Sequence, residues 1–151
     1  MRFKKLKDVI DFSKELHSRL GQQYAELEQL ATSERARMML DYLQRHERHL
    51  AETLKQYEDE AVNGIIETWM QAAPELHLEE LVNKVRDVSL NDVEAIVATA
   101  LEVDDCLVKI YRDIAENSDL DDIKELAQNL MQLEDSEEHK IARNAFRLSD
   151  M

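Results

Sequence analysis

Two glycines and one proline are all that interrupt 151 residues. Glycine and proline end helices and build tight turns, so a chain this poor in them is committed to long helices rather than a many-turned sheet. The spacing of the apolar residues follows the same rule. Helix A is expected over about Leu6 to Ala31, with Val9, Phe12, Leu16, Leu20, Leu27 and Leu30 as its stripe. Thr32-Ser33 breaks the chain, with Ser33 as N-cap of helix B. Helix B runs to about Val62, with Met38, Met39, Tyr42, Leu43, Leu50 and Tyr57 facing inward. Helix C begins near Leu90 behind a Ser89–Asp92 capping box and carries Val93, Ile96, Ala100, Leu107, Tyr111 and Ile114. Ser118–Asp121 repeats that spacing before helix D, which runs to about Leu148.

The connections set the topology. Short turns join A to B and C to D, which makes each pair antiparallel neighbours. Residues 63–89 form a long crossover that Gly64 opens. IIETWMQAA forms a short helix ended by Pro74, and ELHLEELVNKV forms a second one. The expected fold is all-α: a four-helix bundle with one long B–C crossover, making a single domain over residues 1–151. Aromatic content is 5%, so the core must be Leu, Ile, Val, Ala and Met.

A net charge of −14 disfavours nucleic acid and anionic lipid as partners and mildly concentrates cations. A single cysteine, Cys106, excludes an internal disulfide framework and any CxxC knuckle. With no apolar run of spanning length and no h-region after the basic MRFKKLKDVIDF, the expectation is a cytoplasmic protein outside the membrane.

Polar residues on stripes that should be apolar supply the functional lead. Burying such groups costs several kcal/mol unless they are paired or bound to a cation. Asp104 falls among Ala100, Leu101, Leu107 and Val108 on helix C. Glu134 and Glu137, three apart and so on one face, lie near the centre of the helix D stripe of Leu126, Leu130, Leu133, Ile141 and Leu148. On helix B, His46 lies within the apolar arc and His49 toward its edge. His17 sits at the margin of the helix A stripe, seven residues before Tyr24, as Asp104 stands seven before Tyr111. The plainer readings are a buried salt bridge or N–H acceptor for Asp104, a face open to solvent for Glu134 and Glu137, and satisfied core residues for the histidines. His139 is the rival to Glu137, although its wheel position points away from Leu130 and Leu133. His77 reads as solvated, Cys106 as packing, and the methionines as filler. Together His17, His46, His49, Asp104, Glu134 and Glu137 form a mixed imidazole and carboxylate set. Such a set suits iron, with manganese or zinc as alternatives.

These segments resemble the ferritin-like superfamily, rubrerythrin-like branch. ALEVDDCLVKIYRDIAE is similar to the pattern in which an acid precedes a tyrosine by seven residues, with Asp104 in the acid's place. ELHSRLGQQYAELEQLA is similar, with His17 there. His46-x-x-His49 and Glu134-x-x-Glu137 stand where the family carries Glu-x-x-His. The resemblance implies a non-haem di-iron, mixed or mononuclear site in the bundle core. Oxygen or peroxide chemistry or iron handling would follow, with an external electron donor and a homodimer. The substituted ligands redistribute the site rather than erase it. The alternative is a non-catalytic bundle that serves dimerisation or partner binding.

Overall fold

The computed structural model describes residues 5–60, 64 and 77–149. Five helices run through them: α1 (Leu6–Leu30), α2 (Glu34–Glu60), α3 (Leu78–Arg86), α4 (Val93–Asn117) and α5 (Asp121–Ser149). There is no strand among the described residues. The expected second crossover helix is α3. The expected IIETWMQAA helix and Pro74 lie outside the described residues.

Each long helix repeats buried residues at alternating steps of three and four, the spacing that keeps one stripe facing a partner helix. In α2 the buried set is Ala36, Met39, Leu40, Leu43, His46, Glu47, Leu50 and Leu54. In α5 it is Ile123, Ala127, Leu130, Glu134, Glu137, Ile141 and Leu148. α1 packs along α2 and α4 along α5, and α2 joins the two pairs by contacting both α4 and α5. α3 lies against α1 and α4. The result is an all-helical bundle whose stripes meet in one core.

Local chemistry sets the ends. Ser33 Oγ accepts from the Ala36 amide at 3.3 Å and starts α2. Asn91 Oδ1 accepts from the Thr32 and Ser33 amides, both at 2.9 Å, and ties the α1–α2 turn to the loop before α4. Two expected caps shift. Asp92, not Ser89, caps α4, accepting from the Ala95 amide at 3.1 Å. Ser118 closes α4, its amide donating to the Ile114 carbonyl, rather than opening α5. The Ser118 side chain turns to the next residues, its Oγ accepting from the Leu120 amide at 3.2 Å, and spacing alone does not say which helix end a short polar residue serves.

The inward face of α2 is rotated from the expected one. Met38 is 40% exposed, while Ala36, Leu40 and Leu54 are buried. The run 36, 40, 43, 47, 50, 54 is the true seam, and it brings Glu47 into the core. Leu30, expected inside, is exposed at the end of α1. No described helix is long and apolar enough to cross a membrane.

Candidate metal centre

Among the described residues, seven polar or charged ones are buried: Ser13, His17, His46, Glu47, Asp104, Glu134 and Glu137. Ser13 bonds a tyrosine, and the other six form one network across all four long helices. His17, on α1, sits at its centre. Its Nδ1 contacts Glu47 Oε2 on α2, and its Nε2 lies 2.8 Å from Glu134 Oε1 on α5. His46, on α2, repeats the arrangement, with Nδ1 3.1 Å from Glu137 Oε2 and Nε2 3.2 Å from Asp104 Oδ2. Each imidazole thus bridges two carboxylates on different helices. His46 Nε2 also approaches Glu47 Oε1 at 4.0 Å, which links the two halves.

The electrostatics follow from that placement. Burial would lower both histidines, but the facing acids outweigh it. Glu134 and Glu47 hold His17 well above the usual imidazole range. Hydrogen bonds to Asp104 and Glu137 raise His46 to about 10. Desolvation raises Glu47 and Asp104, against the pull of the imidazoles. Burial would also raise Glu137, yet bonds from His46 and Lys140 bring it to about 2. Two imidazoliums and the Lys140 ammonium face four carboxylates, so one negative charge is left to disperse when all four are ionised.

Polar capacity is also left over. Asp104 Oδ1, Glu134 Oε2 and the Tyr24 hydroxyl are buried with no hydrogen-bond partner. Buried carboxylate oxygens are normally satisfied, so Asp104 Oδ1 and Glu134 Oε2 leave room for a further donor or cation. One ligand atom each from His17, Glu47 and Asp104 can be chosen so that all lie within 4.8 Å of one another. Three buried donors of this kind, from three helices, fit a divalent cation of intermediate hardness.

The six residues marked in the sequence fall in different places. His17, His46, Asp104, Glu134 and Glu137 come together in the core. His49 does not join them. Its side chain is 59% exposed, and its Nε2 lies 3.8 Å from Glu137 Oε1 at the rim. His139 is exposed, and its ring nitrogen bonds the Asp135 carbonyl. His77 is exposed before α3. Glu47 is the residue sequence reasoning missed. It stands in RHERH between charged neighbours and reads as surface, yet it lies on the three-four seam of α2. Glu138 is also closer to the cluster than its wheel position suggests. Burial and the charges of Asp104, Asp105, Asp135 and Glu134 raise it to about 7.

The two tyrosines expose an internal asymmetry. Tyr111 donates to Ser13 Oγ at 2.6 Å, and Ser13 stands four residues before His17. The matching position, four before Asp104, is Ala100. The alanine there accounts for Tyr24's unpaired hydroxyl if the two halves correspond. Tyr111→Phe is therefore expected to cost about 1–2 kcal/mol by orphaning a buried hydroxyl, with Tyr24→Phe neutral or stabilising. Paired urea denaturation curves check this, and equal losses would refute the asymmetry.

The pH dependence of the protein in chelator follows from the same groups. His46 rises from 6.5 to about 10 on folding, so its contribution is full below 6.5 and is lost as pH rises through 10. Raised Glu47 and Asp104 act in the same direction, costing stability as pH climbs above their ordinary carboxylate values of 4.5 and 3.8. Glu137 falls from 4.5 to about 2, so its contribution is full above 4.5 and is lost as pH drops through 2. Thermal melts should show Tm declining steadily from pH 6.5 to 10. A Tm that climbs over that range would contradict the imidazolium network.

No family model, curated protein or solved structure matches the chain. The core geometry and the donor chemistry therefore carry the functional reading.

Proposed function

We propose that this protein is a metal-binding helical bundle of the ferritin-like kind, holding one divalent cation in its core. The observation that carries the reading is the buried meeting of His17, Glu47 and Asp104 ligand atoms within 4.8 Å. Glu134, bonded to His17, and His46, bonded to Asp104, orient the set from the next layer. The arrangement parallels the ferritin-like plan, in which acids from two helices meet paired motifs from two others. On α2 the buried register is Glu47-x-x-Leu50, so an apolar residue stands where the plan needs a second ligand. That favours one strongly held ion over a matched pair. Iron, manganese and zinc all suit the donors. Bound there, the ion would supply Lewis acidity and, as iron or manganese, one-electron redox capacity. The chain's own part is to surrender the proton from His17, to fix the carboxylates through His46 and Glu134 and to exclude bulk water. With Cys106 the single cysteine, redox turnover would draw electrons from an external donor.

A second reading has its own support. Both ring nitrogens of His17 and His46 already face carboxylates, so protons alone can hold the core together. The protein would then be a non-catalytic bundle acting through its surface. Anaerobic equilibrium dialysis against ferrous, manganous and zinc ions separates the two. The metal reading expects about one ion retained per chain and a raised Tm. Retention no greater than that of a His17→Ala, Glu47→Ala double variant would leave the second reading standing.

A further inference from the structure

A centre this deeply buried needs a way in. His17 is fully buried with respect to bulk solvent, yet it forms the inner wall of a cleft of about 290 Å³ between α1 and α2. Small residues keep the cleft open: Gly21 and Ala25 on α1, Ala51 on α2. A Cβ on Gly21 would sit 3.5 Å from Glu47 Cβ and 3.8 Å from the Gln44 carbonyl, so the backbone of α1 passes close over the candidate ligand Glu47. Gln44 and Glu52 add oxygen atoms along the walls, the hard donors that replace water around a moving cation, and Arg48 sets one positive charge beside them. Two other surface grooves behave differently. One lies between α4 and α5 around Leu101 and Glu138, and one lies on α5 around Phe146. Neither is lined by any of the six networked residues. On the Glu137 side, Lys140 pairs with Glu137 Oε1 at 2.9 Å.

We propose that the α1–α2 cleft is the portal through which divalent cations reach the core, entering at His17. The proposal rests on the metal-binding reading, and the test separates the two. Ser18→Trp and Ala51→Phe, made singly, place bulk in the cleft without removing any candidate ligand. Leu101→Trp, in the α4–α5 groove, is the control. Stopped-flow manganese uptake by the chelated protein is the first measurement. Each cleft variant should load at least tenfold more slowly than the wild type and reach the same final ion content, while Leu101→Trp loads normally. Wild-type rates in both cleft variants would overturn the portal and leave the metal site intact. Should the wild type take up no manganese, the metal-binding reading fails, and solvent access is judged separately. Deuterium exchange at the His17 ring Cε1 position, followed by NMR in the metal-free protein, then decides. Exchange slowed in the cleft variants alone supports the cleft as the route to the core, and exchange unchanged by them overturns it.

Discussion

Replacing His17 with alanine is expected to destabilise the metal-free protein by about 3–5 kcal/mol, the cost of breaking a buried ion pair from one side. His17 is the cationic link between Glu47 on α2 and Glu134 on α5. Without it the two acids keep their burial and lose their shared partner. Asp104 already raises Glu47 by its charge, so the remaining carboxylates repel one another. They can relieve this by taking up protons, by drawing in water or by pushing the helices apart. Any of these lowers cooperativity in a fold whose total stability is on the order of 5–15 kcal/mol. Urea denaturation in chelator measures the loss. His49→Ala is the comparison, since an exposed side chain should matter by no more than about 0.5 kcal/mol. Equal effects from the two substitutions would show that His17 is not the keystone of the core.

Glu47→Gln should give the opposite pattern, with a small change in stability and a large loss of affinity. The amide keeps the shape of the side chain and still offers an acceptor oxygen to His17. It also removes a buried charge that desolvation already penalises. Metal-free stability should shift by about 1 kcal/mol or less. Cation affinity should fall about a hundredfold or more, roughly 2.8 kcal/mol, because ligand charge sets the strength of an oxygen-donor site. Titration of manganese into wild-type and variant protein reads the ratio directly. Unchanged affinity in Glu47→Gln, or a comparable drop in His49→Ala, would move the centre away from Glu47. The split between stability and affinity matters because a merely structural acid would not show it.

The fold was more legible in the sequence than the site. Scarce glycine and proline, with polar breaks at Thr32-Ser33 and Ser118–Asp121, put the long helices within a few residues of their observed ends. Asp104 and Glu134 were readable because aliphatic neighbours surround them on the wheel. Helix α2 was harder. Its Met38-Met39 pair and Tyr42 suggest one inward face, while Ala36, Leu40 and Leu54 define another turned by about one residue. That rotation exchanges His49 for Glu47. Periodicity alone tolerates either choice over a short stretch, and burial in the bundle decides it. The charged run Arg45-His46-Glu47-Arg48 hid the acid further, because surface and core chemistry alternate there residue by residue. Hydrogen-bond partners were not legible at all. That each imidazole would bridge two acids depends on how four helices meet, which no single stripe encodes.

The most direct test of the account is a crystal grown with manganese and measured for anomalous scattering. The account predicts one strong peak inside the bundle, bordered by His17, Glu47 and Asp104, with the imidazole turned from its carboxylate partners toward the ion. A core without any such peak, in which His17 still joins Glu47 to Glu134 and His46 still joins Asp104 to Glu137, would contradict it.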